Sequence, residues 1–131
     1  MERPIEAVLC DLGHTLVPWS VERAVLPTVY QPVRRFLLDQ GIHPGPLAEE
    51  FVLRLVDDVS ERVGASYERG ELEELDLLSV YADALRHLGL RVGREQVEQI
   101  VELEHRSFVS QLRVPPETLA TLRALRERGA L

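Results

Sequence analysis

The spacing of apolar and polar positions changes character once along the chain. Ile5 to Cys10 (IEAVLC) is apolar with little interruption, the pattern of a short strand covered on both faces in a parallel sheet. Beyond it the period is helical. SVERAVLPTVYQPVRRFLLDQG opens on a candidate N-cap, Ser20, and stops at Gly41. Pro27 and Pro32 break it, which predicts a short turn and then a helix from about Val29 to Gln40.

Three further helices follow from the same spacing. After Pro46 at a first-turn position, Leu47, Phe51, Leu55, Val59 and Val63 form one apolar stripe. Leu78, Tyr81, Leu85 and Leu88 form the next, with Gly89 as its stop. Val97, Ile100, Val101 and Phe108 form a third. After the Pro115-Pro116 joint comes a last helix, with Leu119, Leu122 and Leu125 inward and Gly129 as C-cap. Ala130 and Leu131 read as the start of another strand. One strand cannot satisfy its own backbone groups, so the expectation is that the natural chain continues or that a second copy supplies neighbours.

Composition narrows the classes. The chain has 131 residues, 45% of them apolar, enough for one domain with a real core. The formal net charge of −7 disfavours a broad nucleic-acid footprint. All 15 basic residues are Arg, with no Lys. Cys10 is the lone cysteine, which excludes an internal disulfide and suits a reducing cytoplasm. The N-terminus lacks the pattern of a signal peptide, and no stretch approaches the roughly 20 apolar residues of a membrane span.

The chemistry-bearing stretch is Asp11-Leu12-Gly13-His14-Thr15-Leu16, a carboxylate delivered by an apolar run into a glycine-containing turn. Read from the residues alone, Asp11 either ends a strand and starts a turn or sits at a ligand site. The stretch resembles the first motif of the haloacid dehalogenase-like (HAD) hydrolases. The resemblance extends to the helical segment after it, which looks like that family's helical cap, and to Val114–Leu131, which looks like the helix returning to its core. It implies an α/β fold with a Rossmann-like core at 1–16 and 114–131, and a helical cap at 17–113.

The resemblance further implies Asp11 as the nucleophile of a phosphatase acting on a small phosphorylated metabolite through an aspartyl-phosphate. It implies Mg²⁺ held partly by the Asp11 carboxylate and the Gly13 carbonyl, with the Leu12 backbone and Thr15 holding phosphoryl oxygens. Thr15 is expected to brace the turn rather than react.

The chain departs from that pattern in two ways. Gly13 stands where family phosphatases carry a second Asp as general acid and base. The dehalogenase branch has an aromatic residue there, so Gly13 also argues against a 2-haloacid dehalogenase. His14 replaces a small residue and is the candidate acid–base group, against the alternative that it packs on the strand end. The later motifs, a Ser or Thr, a Lys or Arg, and an acidic pair, are not found, and activity of this chain alone is expected to be absent. The rival class is a non-catalytic helical interaction module, dimerising through the exposed strand and last helix.

Other residues have blander expectations. Trp19, Tyr30, Arg34 and Arg35 read as aromatic packing and a solvated basic face rather than as substrate contacts. Asp57-Asp58 reads as a solvated helix face, Glu71–Asp76 as a solvated helix start, and Cys10 as a small core residue. His87 serves a helix dipole, and His43 and His105 lack metal-ligand spacing.

Overall fold

The computed structural model describes residues 7–13, 15–18, 20–43, 45, 48–70 and 75–129, with backbone alone at 48 and 49. The chain divides into two compact units: Glu22–Ser110, and Met1–Val21 together with Gln111–Leu131.

The first unit is a helical bundle. A 3₁₀ turn, Arg23–Val25, leads into α1 (Leu26–Val29), α2 (Gln31–Asp39), α3 (Ala48–Glu68), α4 (Leu77–His87) and α5 (Arg94–Gln111). Pro27 and Pro32 occupy the first turns of α1 and α2, where a missing N–H costs nothing, so they start helices rather than kink one. Ser20 lies outside the helix it was expected to cap, and Glu22 precedes the 3₁₀ turn instead. Asp76 caps α4: its Oδ1 accepts from the Leu78 N–H at 3.1 Å and its Oδ2 from the Ser79 hydroxyl at 2.6 Å. Glu71–Glu74 lie outside the described residues.

Gly41 and Gly89 end α2 and α4 with φ of 70° and 82°. In each case the next residue's N–H reaches back to the last turn, Ile42 to the Leu37 carbonyl at 2.8 Å and Leu90 to the Leu85 carbonyl at 2.9 Å.

α3 packs on α4 and on α1. Leu37, Leu55, Leu85 and Ile100 are 0% exposed and form the centre of the core, with Val33, Phe51, Val52 and Val97 around them. On α3 the stripe is buried at Phe51 and Leu55 and half-buried at Val59 and Val63; Leu47 lies outside the described residues. On α4 the covered face runs through Val80, Tyr81, Ala84 and Leu85, with Leu78 and Leu88 at its half-buried edges.

The second unit carries a tight turn over Leu12–Val17 and α6 (Pro116–Glu127). The α/β architecture with a Rossmann-like core, implied by the resemblance, is not what forms: the regular elements among the described residues are all helical, with no named strand. Ala7 to Cys10 is irregular, and the one bridge, Gly13 to Val17, is isolated. A strand exists only through its neighbours, and the described residues offer this run no partner strand. Ile5 and Glu6 lie outside the described residues.

α6 also turns differently from expectation. Leu119 is 41% exposed, and the half-buried face runs through Thr118, Leu122 and Leu125. That i, i+4, i+7 set is a narrower stripe than the leucine positions alone suggest. Among the described residues no helix is long and apolar enough to cross a membrane.

Candidate functional site

The turn after the opening run closes on one carbonyl. The N–H groups of Leu16 and Val17 both donate to Leu12 O, each at 3.0 Å. Gly13 pairs with Val17 in the isolated bridge, and the Val17 side chain is buried. An apolar anchor at Val17 and a bifurcated carbonyl at Leu12 therefore fix the loop that carries Asp11.

Asp11 is exposed, and its Oδ2 accepts a hydrogen bond from the Thr15 hydroxyl at 3.0 Å. Among the described residues Oδ1 makes no other hydrogen bond. One carboxylate oxygen is thus held by Thr15 in an exposed residue, and an exposed carboxylate can act as a nucleophile or a ligand. Thr15 is thus tied to the carboxylate itself, four residues back in the turn. Leu12 is exposed, with its carbonyl engaged inside the turn. His14 and Trp19 lie outside the described residues. Cys10 is half-buried.

The fit to Mg²⁺ is tested by the donor set. A hard divalent ion takes about six oxygens. The stretch offers the Asp11 carboxylate and the Gly13 carbonyl, and no three His, Cys, Asp or Glu side chains among the described residues are arranged to hold a metal. The described residues do not by themselves fit the ion.

The other charged residues serve the bundle. Arg34 and Arg35 are exposed on α2. Arg23 grips Asp57 with two hydrogen bonds, of 2.7 and 2.9 Å, joining the 3₁₀ turn to α3; that bond holds the Asp57 carboxyl below its ordinary range. Asp58 departs from the solvated face expected for it. Its side chain is 13% exposed, accepts from Arg62 Nε at 3.2 Å, and lies 3.1 Å from His87 Nδ1 at the end of α4. His87 thus links α4 to α3 besides standing at a helix C-terminus.

Tyr30 is buried, and its hydroxyl donates to Glu104 Oε1 at 2.7 Å. Burial, then the neighbouring Tyr81 and Glu104 charges, push the Tyr30 phenol far above its ordinary range. Tyr81 is raised too, first by burial and then by Glu104. Sequence reasoning missed this cluster. The available signal was the spacing of Glu104, four residues after Ile100 and four before Phe108, which places a carboxylate in the α5 apolar stripe. No known family, no curated protein and no solved structure matches the chain.

Proposed function

We propose that the chain carries the nucleophile of a HAD-like hydrolase, a phosphatase acting on a small phosphorylated metabolite through Asp11. The observation that carries the reading is the Asp11–Thr15 pair: an exposed carboxylate whose Oδ2 accepts from Thr15 and whose Oδ1 has no hydrogen bond among the described residues, set in a turn closed on Leu12. The reading rests on the motif and the geometry of its turn, not on a sheet.

In the proposed reaction the Asp11 Oδ1 lone pair attacks phosphorus, and the bond from phosphorus to the leaving oxygen breaks. Water then attacks phosphorus, the Asp11 oxygen–phosphorus bond breaks, and the carboxylate and orthophosphate result, with the proton passing to solvent. Thr15 positions the carboxylate throughout. A reducing cytoplasm suits the single, unpaired Cys10.

A second reading, a helical interaction module without catalysis, is favoured by the self-contained core of Glu22–Ser110. The two separate on one experiment. Phosphate release is measured with protein produced from its complete natural reading frame, wild type against Asp11→Asn. The phosphatase reading predicts turnover that the substitution abolishes, because a neutral amide cannot form the acyl-phosphate. Turnover equal in the two proteins, or none in either, favours the module. Halide release from 2-haloacids instead of phosphate would make the enzyme a dehalogenase.

A further inference from the structure

We propose that the junction of α4 and α5 is a binding site for a small molecule that joins a phosphate or carboxylate group to an apolar body. The site lies wholly within the Glu22–Ser110 unit and does not depend on Asp11.

α4 ends at Gly89, and the reversal there sends Leu90 back onto the bundle. The Leu90 N–H donates to the Leu85 carbonyl at 2.9 Å, and the Leu90 side chain is buried. That apolar anchor fixes the path of Arg91, Val92 and Gly93 past the end of α4. An open cleft of about 580 Å³ results, lined by Ala82, Arg86, Leu90, Arg91, Val92 and Gly93. Its size is that of a small-molecule site.

The sequence carries 22 acidic residues and a net charge of −7, yet both charged residues on the cleft wall are Arg. Arg86 Nη1 donates to Asp83 Oδ1 at 2.5 Å, which holds one corner of the guanidinium. A guanidinium has several further N–H donors, and these remain for a ligand. Among the described residues the Arg91 side chain makes no hydrogen bond or ion pair. Two guanidinium groups on one cleft recognise an oxyanion through paired N–H···O bonds, a geometry that phosphate and carboxylate share. Ala82, Leu90 and Val92 supply an apolar wall, which favours a ligand with a hydrocarbon body over a bare inorganic ion. The Gly93 N–H already donates to Gln96 Oε1 at 2.8 Å, so recognition falls to the two arginines rather than to the start of α5.

The test titrates the ¹⁵N-labelled 131-residue chain with phenylphosphonate, benzoate and inorganic phosphate, followed by two-dimensional amide NMR. Phenylphosphonate or benzoate should shift the amides of Leu90–Gly93 saturably, with a Kd of about 1 mM or tighter, and the tighter of the two identifies the anionic group. Inorganic phosphate should bind at least about tenfold more weakly, for want of an apolar body. Arg91→Ala and Arg86→Ala should each weaken binding by about tenfold or more, the loss expected for a hydrogen bond to a charged group. Arg34→Ala removes the same charge from an exposed position on α2 and should leave binding unchanged.

Arg91 is exposed, so its variant decides the matter even if Arg86→Ala disturbs α4. No saturation by either aromatic probe at about 10 mM overturns the proposal. So does inorganic phosphate binding as tightly as phenylphosphonate, or Arg34→Ala weakening binding as much as Arg91→Ala.

Discussion

Tyr30 and Glu104 stand 74 residues apart in the chain, and the Tyr30 hydroxyl donates a 2.7 Å hydrogen bond to Glu104 Oε1. The bond ties the junction of α1 and α2 to α5, and Tyr81 on α4 lies against the same carboxylate. Tyr30→Phe removes a donor to a carboxylate and should destabilise the bundle by about 1.5–3 kcal/mol. Glu104→Leu leaves the buried Tyr30 hydroxyl without its acceptor and should cost a similar amount. Urea denaturation followed by circular dichroism measures both, and an unchanged midpoint in Tyr30→Phe would show the bond to be dispensable.

The same cluster predicts an alkaline limit. Burial raises both phenols above their ordinary value of 10.0. Their contribution to stability is fully present below pH about 10; above it the unfolded chain releases these protons while the native chain keeps them, so stability falls as pH rises. Urea midpoints between about pH 8 and 11 should drop in wild type and drop less in Tyr81→Phe. Equal slopes in Tyr81→Phe and wild type would contradict the assignment.

Core and surface leucines should separate sharply. Leu55 and Leu85 are 0% exposed, and either one replaced by Ala should cost about 2–5 kcal/mol through lost burial and the cavity left behind. Leu119→Ala on α6 should stay within about 0.5 kcal/mol. A large loss at Leu119 would mean that its side chain is covered in solution.

How much of this was legible in the sequence depends on what each feature needs. Helix stops at Gly41 and Gly89 and the core positions Phe51, Leu55, Tyr81, Leu85, Val97 and Ile100 follow from local period and backbone conformation, and they stand where the spacing predicts. Features that depend on distant partners do not follow from spacing. The apolar run at Ala7–Cys10 reads as a strand, yet a strand is made by neighbours, and the described residues supply none. Asp58 looks like half of an acidic pair on a solvated face until α4 brings His87 to it. Tyr30 reads as aromatic packing, but its hydroxyl's partner, Glu104 on α5, does not follow from spacing. Asp11 was visible in the motif, whereas the oxygen that Thr15 binds became visible only with the turn closed.

The donor set predicts weak metal binding. With one carboxylate and one carbonyl in the motif, the 131-residue chain should bind Mg²⁺ with a dissociation constant above about 10 μM by titration calorimetry. A tighter site would place metal ligands outside the Asp11 turn.

The central claim is that Asp11 becomes covalently phosphorylated. Protein from the complete reading frame is mixed with acetyl phosphate, quenched in acid within one turnover, digested and mapped by mass spectrometry. The account predicts a phosphoryl adduct on the peptide containing Asp11, with Asp11 as the modified residue and no adduct in Asp11→Asn. Phosphate release that proceeds without this adduct, at a rate Asp11→Asn leaves unchanged, would contradict it.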